Sequence, residues 1–431
     1  MNYTKQDIID MIEEEDVEFI RLQFVDLFGT IKNMAITTSQ LGKLLDNRCR
    51  FDGASVDGFT DDRNADLFLK PDLDTFTIFP WRPQQGKVAR FLCDIVRSDG
   101  TIYEGDSRNV LRRVLEQAAE KGYELEVGPQ CEFFLFDLDE KGDPTKHISD
   151  SGNYFDISPN DHGENARREM VLFLEKMGFE VESSFHAGAK GQHGINFRYD
   201  TALKTADNIV TYKLVIRSAA KRHGFHASFM PKPIYGFNGS GMHLSFSIKK
   251  DGKNIFNSDE DGKPSKEALW FMAGIMEHIE GMTLINNPIV NSYKRLVPGY
   301  NAPVEVDWSY DNRNSLLRIS DTGAEGVKVK LRSADAASNP YLCLAVCLAA
   351  GLNGIEKQLD VCESAEQGGK SGKVMPPTLE DAILAFEKDD FIRNVLGGHI
   401  ADKYMEAKKA EWNEYCKQIT NWEVDRYLQT I

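Results

Sequence analysis

The first hundred residues carry one helical pattern and several strand patterns. Between Lys5 and Glu15 the apolar side chains fall on one side of a helix and the acidic side chains on the other. Two strand-like runs, VEFIRLQFVD and TIKNMAI, lie on either side of Gly29, and a third strand is predicted at Lys87–Val96. We therefore predict a small N-terminal domain, residues 1–104, in which a helix lies beside a hairpin-like pair of strands.

Beyond residue 104, long helical patterns alternate with strand patterns. The predicted helices are Ser107–Gly122, Glu164–Gly178, Ala202–His223, Ser265–Met282 and Asn339–Gln358. The predicted strands are Gln130–Asp137, Glu180–His186, Ile195–Tyr199, Gly241–Ile248 and Val327–Arg332. The alternation predicts a larger domain of mixed helices and strands, residues 105–431, and places the chain in the α+β class.

Composition supports a folded two-domain protein and excludes several functions. The 431 residues exceed what one hydrophobic core usually serves, and 41% are hydrophobic. A formal net charge of −16 argues against nucleic-acid binding, which requires an excess of Lys and Arg. The acidic N-terminus and the absence of long apolar runs predict neither a secretion signal nor a membrane span. Seven cysteines without a CxxC pair favour reduced thiols in a cytoplasmic protein.

Two segments contain residues typical of an anion-binding site. FMPKPIYGFNGSGMHLSFSI surrounds an Asn and a Ser with glycines and then enters a strand that carries His243. Its backbone amides could approach an anionic or amide ligand, although most such turns are only turns and most strand histidines belong to a core. NSYKRLVPGYNAP carries a basic pair and precedes Arg313, Arg318 and Arg332. Arginine forks suit carboxylates and phosphates; the alternative is ion pairing at the surface.

Six segments resemble the signatures of type I glutamine synthetases. They are FDGASVDGF (Phe51–Phe59), NADLFLKPD (Asn64–Asp72), GPQCEFFLF (Gly128–Phe136), FMPKPIYGFNGSGMH (Phe229–His243), NSYKRLVPGYNAP (Asn291–Pro303) and DAASNPYLCLAVCLAAGL (Asp335–Leu352). They occur in family order over nearly the whole chain, whose length resembles the shorter subtype that is not regulated by adenylylation. The resemblance implies a β-grasp-like N-terminal domain and a C-terminal domain of the glutamine synthetase catalytic type.

The resemblance also implies an activity and an assembly. Family enzymes phosphorylate the side-chain carboxylate of glutamate with ATP and then let ammonia displace the phosphate, using Mg²⁺ or Mn²⁺. They form two stacked hexameric rings, in which each active site lies between the N-terminal domain of one subunit and the C-terminal domain of its neighbour. We therefore expect a homo-oligomer, in the form of a dodecamer, with mixed assembly with an active paralogue as a further hypothesis.

Several matching positions keep the residue types of the family. Asp52 and Asp66 match the two acids near ammonium, although the next family Ser is Ala54 here. The glutamate-binding positions are occupied by Asn238, Gly239, Arg295 and Arg332. Arg313 and Arg318 match phosphate-contacting arginines, Arg313 being also a catalytic candidate, and Ser247 lies on the strand that borders the nucleotide.

Most of the matching metal positions are not acidic. Of the family's metal ligands, Glu132 and His243 remain. Family glutamates are replaced at Gln130, Ala187, Gly194 and Lys330, and Asn301 replaces the glutamate of a flap. Because Mg²⁺ and Mn²⁺ prefer oxygen ligands, the binding of either ion is expected to be doubtful. Lys330 is expected to pair with Glu132 or with a bound phosphate.

These replacements predict a catalytically impaired or inactive homologue. Such a pseudoenzyme would have a regulatory or structural role in nitrogen metabolism and would retain glutamate or ATP binding. The alternative is an active ATP-dependent glutamate–ammonia ligase, or a related glutamate–amine ligase, with a rearranged metal site.

Overall fold

The computed structural model of the protein describes residues 3–60, 62, 65–82, 85–258, 263–321 and 326–431. Asn64, the first residue of one family-like segment, lies outside these ranges. Within them the strands form two sheets, one of five strands and one of ten. None of the helices in these ranges is long and apolar enough to cross a membrane.

The five-stranded sheet belongs to the N-terminal part of the chain. Its elements are α1 Lys5–Glu14, β1 Val17–Val25, β2 Ile31–Thr37, α2 Leu41–Leu45, β3 Cys49–Asp52, β4 Asp66–Ile78 and β5 Lys87–Val96. The strand order is β2-β1-β5-β4-β3, with β1 and β5 parallel and the other neighbours antiparallel. Thr4 caps α1, and the helix buries Ile8 and Ile12 in a core that belongs to this sheet.

The rest of the chain forms a larger domain. Its helices are α3 Ser107–Glu120, α4 Glu164–Lys176, α5 Ala202–Arg222, α6 Lys266–Asn286, α7 Ser292–Arg295, α8 Pro340–Lys357, α9 Leu379–Lys388, α10 Asp390–Leu396, α11 Gly398–Tyr415 and α12 Asn421–Tyr427. Its strands are β6 Tyr123–Asp137, β7 Val181–His186, β8 Gln192–Phe197, β9 Asp200–Thr201, β10 Phe225–Ser228, β11 Met242–Lys250, β12 Lys253–Asn254, β13 Trp308–Ser309, β14 Leu317–Asp321 and β15 Val327–Leu331.

The ten-stranded sheet has one apolar face and one polar face. Its main path is β13-β14-β15-β11-β6-β8-β7, and β9, β10 and β12 pair at its margins. Along β11, Leu244 and Phe246 are fully buried, whereas His243 and Ser245 are only partly covered. Because successive strand residues point to opposite faces, the apolar side packs into the core with the helices and the polar side is left for a site.

The fold class is confirmed: a small β-grasp domain precedes a larger domain of mixed helices and strands. Cys343 and Cys347 are fully buried in the apolar helix α8, which fits their interpretation as small core residues. The boundary between residues 104 and 105 stays a prediction.

A buried arginine joins the two domains. Arg108 begins α3 and is 3% exposed. Its guanidinium contacts Asp94 at 2.7 Å and Asp72 at 2.7 Å in the N-terminal sheet, and forms a bidentate pair with Asp207 of α5 at 2.8 and 2.9 Å. Tyr341 donates a further hydrogen bond of 2.7 Å to Asp207. One cation thus holds carboxylates from both domains together.

Replacing Arg108 with Met should destabilise the protein by about 3–5 kcal/mol, because three acids lose their shared cation and two of them are buried. Urea unfolding followed by circular dichroism measures the change. Arg113→Met, on the same helix but exposed and bonded only to the Val395 carbonyl, is the control and should change the free energy of unfolding by about 0.5 kcal/mol or less. Equal effects of the two variants would contradict the role of Arg108.

Candidate functional site

A cavity of about 1050 Å³ opens on the polar face of the ten-stranded sheet. Six of the residues predicted at metal or flap positions line it: Gln130, Glu132, Gly194, His243, Asn301 and Lys330. Among those singled out for anion binding, it is lined by Asn238, Gly239, Arg295, Arg313, Arg318 and Arg332. Residues that are far apart in the chain therefore meet around one space.

The register of the sheet places these side chains on one face. His243 lies opposite Gln130 on β6, and Ser245 lies opposite Lys330 on β15. Lys330 also lies opposite Arg318 on β14. Directly paired residues of antiparallel strands share a face, so the strands present amide, imidazole and cationic groups to the cavity together.

Glu132 is the one acid among the residues predicted at metal positions. Its Oε2 accepts hydrogen bonds from the Gly241 amide at 3.0 Å and from Gln192 Nε2 at 3.4 Å. Burial raises the pKa of this carboxyl, although the Gly241 amide and nearby cations oppose the shift. Gly194 lies directly opposite Glu132 on β8 and supplies no second carboxylate.

Lys330, on β15, lines the same cavity as Glu132. Its ammonium donates to the amide oxygen of Gln130, and the predicted pair with Glu132 is not formed. Burial first, and then the nearby guanidinium of Arg332, lower the pKa of Lys330 to about 8. The same surroundings, burial first and then Arg332, hold the pKa of His243 well below its usual value.

Two arginines extend this positive wall. Arg295, at the end of α7, donates to the carbonyls of Ser333 at 2.6 Å and Arg332 at 2.9 Å. Glycines at positions 239 and 241 let the chain pass close to it, since a Cβ at Gly241 would lie 2.6 Å from the Arg295 Nη2. Arg332 is 7% exposed and its buried Nε has no hydrogen-bond partner.

The residues at the family metal positions do not fit a divalent cation. One buried carboxylate, one imidazole and one amide share the space with the Lys330 ammonium, and the donor set lacks the several oxygens that Mg²⁺ or Mn²⁺ requires. The positive groups would repel an ion placed there.

A second group of candidate ligands lies beside the cavity. Ligand atoms of Asp150, Asp161, His186 and His193 all lie within 4.8 Å of one another, and all four residues are buried. Carboxylates and imidazoles are suitable ligands for Mn²⁺ and related ions. His186 and His193 belong to β7 and β8, whereas the two acids come from the loop that precedes α4.

Hydrogen bonds already organise this group. His186 Nε2 pairs with Asp150 at 2.9 Å, and this bond, against the opposing effect of burial, lowers the pKa of Asp150. Arg167 Nη1 contacts Asp161 at 2.6 Å and His193 Nδ1 at 2.9 Å. The buried Nε2 of His193 has no partner. A cation bound through His193 Nδ1 and the Asp161 Oδ2 would have to displace Arg167, whereas His193 Nε2 is available without that displacement.

Four predicted residues stand apart from the cavity lining: Ala187, which is buried just after β7, and Asp52, Asp66 and Ser247. Asp52 and Asp66 are exposed cross-strand partners on β3 and β4 of the N-terminal sheet. Asp52 accepts hydrogen bonds from Ser55 Oγ at 2.6 Å and the Ala54 amide at 3.0 Å, and Asp66 pairs with Arg50 at 3.0 Å. Ser247 is buried farther along β11, opposite Glu126.

Sequence reasoning missed an aromatic wall of the cavity. Tyr154 and Phe155 stack at 4.1 Å and are 59% and 61% exposed, and Phe185 meets Phe155 edge to face at 5.6 Å. Phe185 also covers Gly194: a Cβ there would lie 2.6 Å from the Phe185 Cζ. Phe155 has a φ of 63°, an uncommon conformation for a bulky residue. The sequence signal for this wall was the aromatic pair Tyr154 and Phe155 within a polar loop.

Two protein-family models match the chain. The model described as the glutamine synthetase beta-Grasp domain matches residues 16–98, and the model of the glutamine synthetase catalytic domain matches residues 104–427. Proteins named glutamine synthetase from Clostridium saccharobutylicum and Staphylococcus epidermidis are 51% and 46% identical to it over 437 and 440 residues, covering 99% of both chains in each case. A solved GmaS/ADP complex is 29% identical, with a TM-score of 0.88 and full coverage of both chains.

The prediction of an impaired or inactive homologue is wrong. Relatives named glutamine synthetase share about half of their residues with this chain over its whole length, which favours the alternative of an active ligase. The expectation that divalent cations bind doubtfully is also unsupported, because Asp150, Asp161, His186 and His193 form a candidate cation site that is separate from the replaced family positions. The prediction failed because it considered only those positions.

If this cluster holds an ion, Mn²⁺ should bind to the protein, and Asp150→Asn should weaken the binding about tenfold or more because a charged oxygen ligand is lost. Calorimetric titration with MnCl₂ measures the affinity. His223→Ala, which removes a histidine paired with Glu169 outside the cluster, should leave it unchanged. Equal Mn²⁺ affinity in the wild-type protein and Asp150→Asn would show that the ion binds elsewhere.

Proposed function

Because the chain belongs to the glutamine synthetase family, we propose that it is an active ATP-dependent ligase that joins glutamate to ammonia. The observation that carries this proposal is the convergence of Arg295, Arg313, Arg318, Lys330 and Arg332 on one cavity in an acidic protein. Two of the three substrates of such a reaction, glutamate and ATP, are anions, and guanidinium groups suit carboxylates and phosphates. The bound ADP of the GmaS relative supports a nucleotide ligand for this fold.

The cavity supplies groups for both halves of the reaction. In the first, a γ-carboxylate oxygen of glutamate attacks the γ-phosphorus of ATP and ADP leaves; in the second, ammonia attacks the acyl carbon and phosphate leaves. Arg295 and Arg332, with Asn238 and Gly239, are proposed to hold glutamate. Arg313 and Arg318 are proposed to stabilise charge on the transferred phosphoryl group, and Ser247 is proposed to border the nucleotide.

A divalent ion is also proposed as a cofactor. Glu132 and His243 alone do not fit it, so the Asp150, Asp161, His186 and His193 cluster is the proposed alternative holder. An ion there would supply positive charge beside the cavity. The residues of the cavity would still orient both substrates themselves.

An amine is a second candidate for the acceptor. Tyr154, Phe155 and Phe185 form an aromatic wall, and Gly194, which lies against Phe185, carries no charge. Ammonium has no group that would use such a wall, whereas a small alkyl amine would bury its carbon atoms against it. Glutamate–amine ligation is therefore the second candidate activity.

Assembly is proposed to complete the site. Asp52 and Asp66 lie directly opposite each other on an exposed strand pair, and although Arg50 pairs with Asp66, Asp52 has no cation partner among the described residues and is proposed to bind ammonium. In a homo-oligomer, and in the dodecamer that the family resemblance implies, a neighbouring subunit would bring these acids to the cavity. Mixed assembly with a paralogue remains a hypothesis.

Two further proposals concern localisation and domain organisation. The seven free thiols fit a cytoplasmic protein. The proposed domain boundary lies between residues 104 and 105.

Phosphate release from ATP should require both glutamate and an acceptor, at about 1 per second or faster. Arg332→Gln should lower kcat/KM about 100-fold or more, because it removes a cation from the substrate site. Arg198→Gln, at a partly exposed ion pair with Glu180, is the matched control and should leave the rate unchanged. A folded protein with no glutamate-dependent phosphate release would refute the ligase.

Comparison of ammonium with methylamine as acceptor tests the second candidate. If the aromatic wall binds the alkyl group, Phe185→Ala should reduce kcat/KM for methylamine about tenfold relative to ammonium, since one methyl contact discriminates by that order. Mass spectrometry of the amide products gives both rates. An unchanged ratio would remove the aromatic wall from acceptor choice.

Co-expression of Asp52→Asn with Arg332→Gln should restore activity that each variant lacks alone. In randomly mixed oligomers, about a quarter of shared sites would combine two unaltered halves. The ammonium-dependent rate of the purified hybrid provides the measurement, and light scattering gives the size of the assembly. Hybrids as inactive as either parent would contradict a site shared between subunits.

A further inference from the structure

Strands β14 and β15 place two cations directly opposite each other. Arg318 and Lys330 are cross-strand partners on the face that borders the cavity. Like charges in this position destabilise a sheet. Arg318 Nε donates to the Tyr310 carbonyl at 3.0 Å, and Lys330 donates to the amide of Gln130. Neither bond supplies a negative charge, so these hydrogen bonds do not neutralise the two cations.

Arg332 adds a third cation next to this pair. Its side chain is nearly fully buried, and its guanidinium has no hydrogen-bonded acceptor among the residues that the structure describes. Arg108, by contrast, forms ion pairs with three aspartates. An unpaired buried guanidinium is costly unless a ligand provides the acceptor.

The acids near the cavity do not neutralise the combined positive charge of Arg318, Lys330 and Arg332. The oxygen of Glu132 that is nearest to the glycine-rich turn is engaged by the Gly241 amide and Gln192. Asp156 and Glu164 also line the cavity, but they accept hydrogen bonds from the backbone amides of Asn153 and Ser158 in the loop before α4. Glu132 attracts both Lys330 and Arg332, but one carboxylate does not neutralise three cations, so this end of the cavity keeps an excess of positive charge.

We propose that Lys330 and Arg332 bind a phosphoryl oxyanion directly; Arg332, which is also proposed to hold glutamate, would contact the phosphoryl group where it is transferred to the glutamate side chain. The Lys330 ammonium would supply, at this end of the cavity, positive charge that the family draws from an ion held by glutamates at the same positions. This inference rests on the proposed function, because the phosphoryl group is that of ATP or of the transferred phosphate.

The chemistry of the two side chains fits this ligand. An ammonium has three N–H donors, and Gln130 accepts one of them, which leaves two for oxygen atoms in the cavity. The guanidinium of Arg332 offers a planar pair of donors that matches two phosphoryl oxygens. Gln130, in contrast to a glutamate, holds the ammonium in place without neutralising it. The replacements at positions 130 and 330 therefore act together.

Calorimetric titration of the 431-residue protein with ATP, and separately with inorganic phosphate, in excess EDTA tests this proposal. We expect both probes to bind without a divalent ion. Lys330→Gln should weaken both affinities about 30-fold or more, whereas Lys330→Arg, which keeps the cation, should stay within about threefold of the wild type. Lys121→Gln removes an exposed lysine of the Glu356 pair and should have no effect.

Thermal unfolding shows whether each variant is folded. Failure of both probes to bind in EDTA, or equal affinities of Lys330→Gln and Lys121→Gln, would overturn the proposal. The phosphate-release assay separates this result from the ligase itself. Lys330-dependent binding in a protein without turnover would refute the proposed function alone, and normal turnover with no effect of Lys330→Gln on binding would refute this inference alone.

Discussion

The two-residue alternation of side chains along the strands of the ten-stranded sheet is the constraint on which the core and the candidate site both depend. Nine consecutive residue pairs join β6 to β11, and they fix which side chains point to which face. A slip of one residue would move Leu244 into the cavity and His243 into the core. The apolar side therefore holds the polar side in register, and packing energy in the core determines the positions of groups that bind ligands.

Buried cations at two places in this chain differ in whether carboxylates pair with them. At the domain junction, Arg108 has three carboxylate partners, and the resulting network is complete without any ligand. On the cavity face, Lys330 and Arg332 have no such partners, and burial lowers the pKa of Lys330 to about 8 and that of Arg332 to about 10. Complete networks stabilise a fold, whereas incomplete ones indicate where a ligand belongs.

Local pattern predicted the elements better than it predicted the site. The alternation in β11 and the apolar stripe of α8 located both elements to within about two residues. Strand β6 begins at Tyr123, seven residues before the predicted start, because Gly128 and Pro129 interrupt its pattern without interrupting its pairing. The sequence analysis missed the cluster of Asp150, Asp161, His186 and His193. The two acids lie in a long loop, and the spacing of residues along the chain does not predict where such a loop meets the sheet.

The ring of Phe185 over Gly194 also limits how this sequence can change. A glutamate at position 194 would place its Cβ 2.6 Å from the Phe185 Cζ, so an acidic residue there requires Phe185 to move or to be replaced. A substitution that introduced the carboxylate alone would carry a packing defect and gain only one ligand. Positions 185 and 194 are therefore coupled, and a designer who wished to build a cation site on this face would have to change both side chains together.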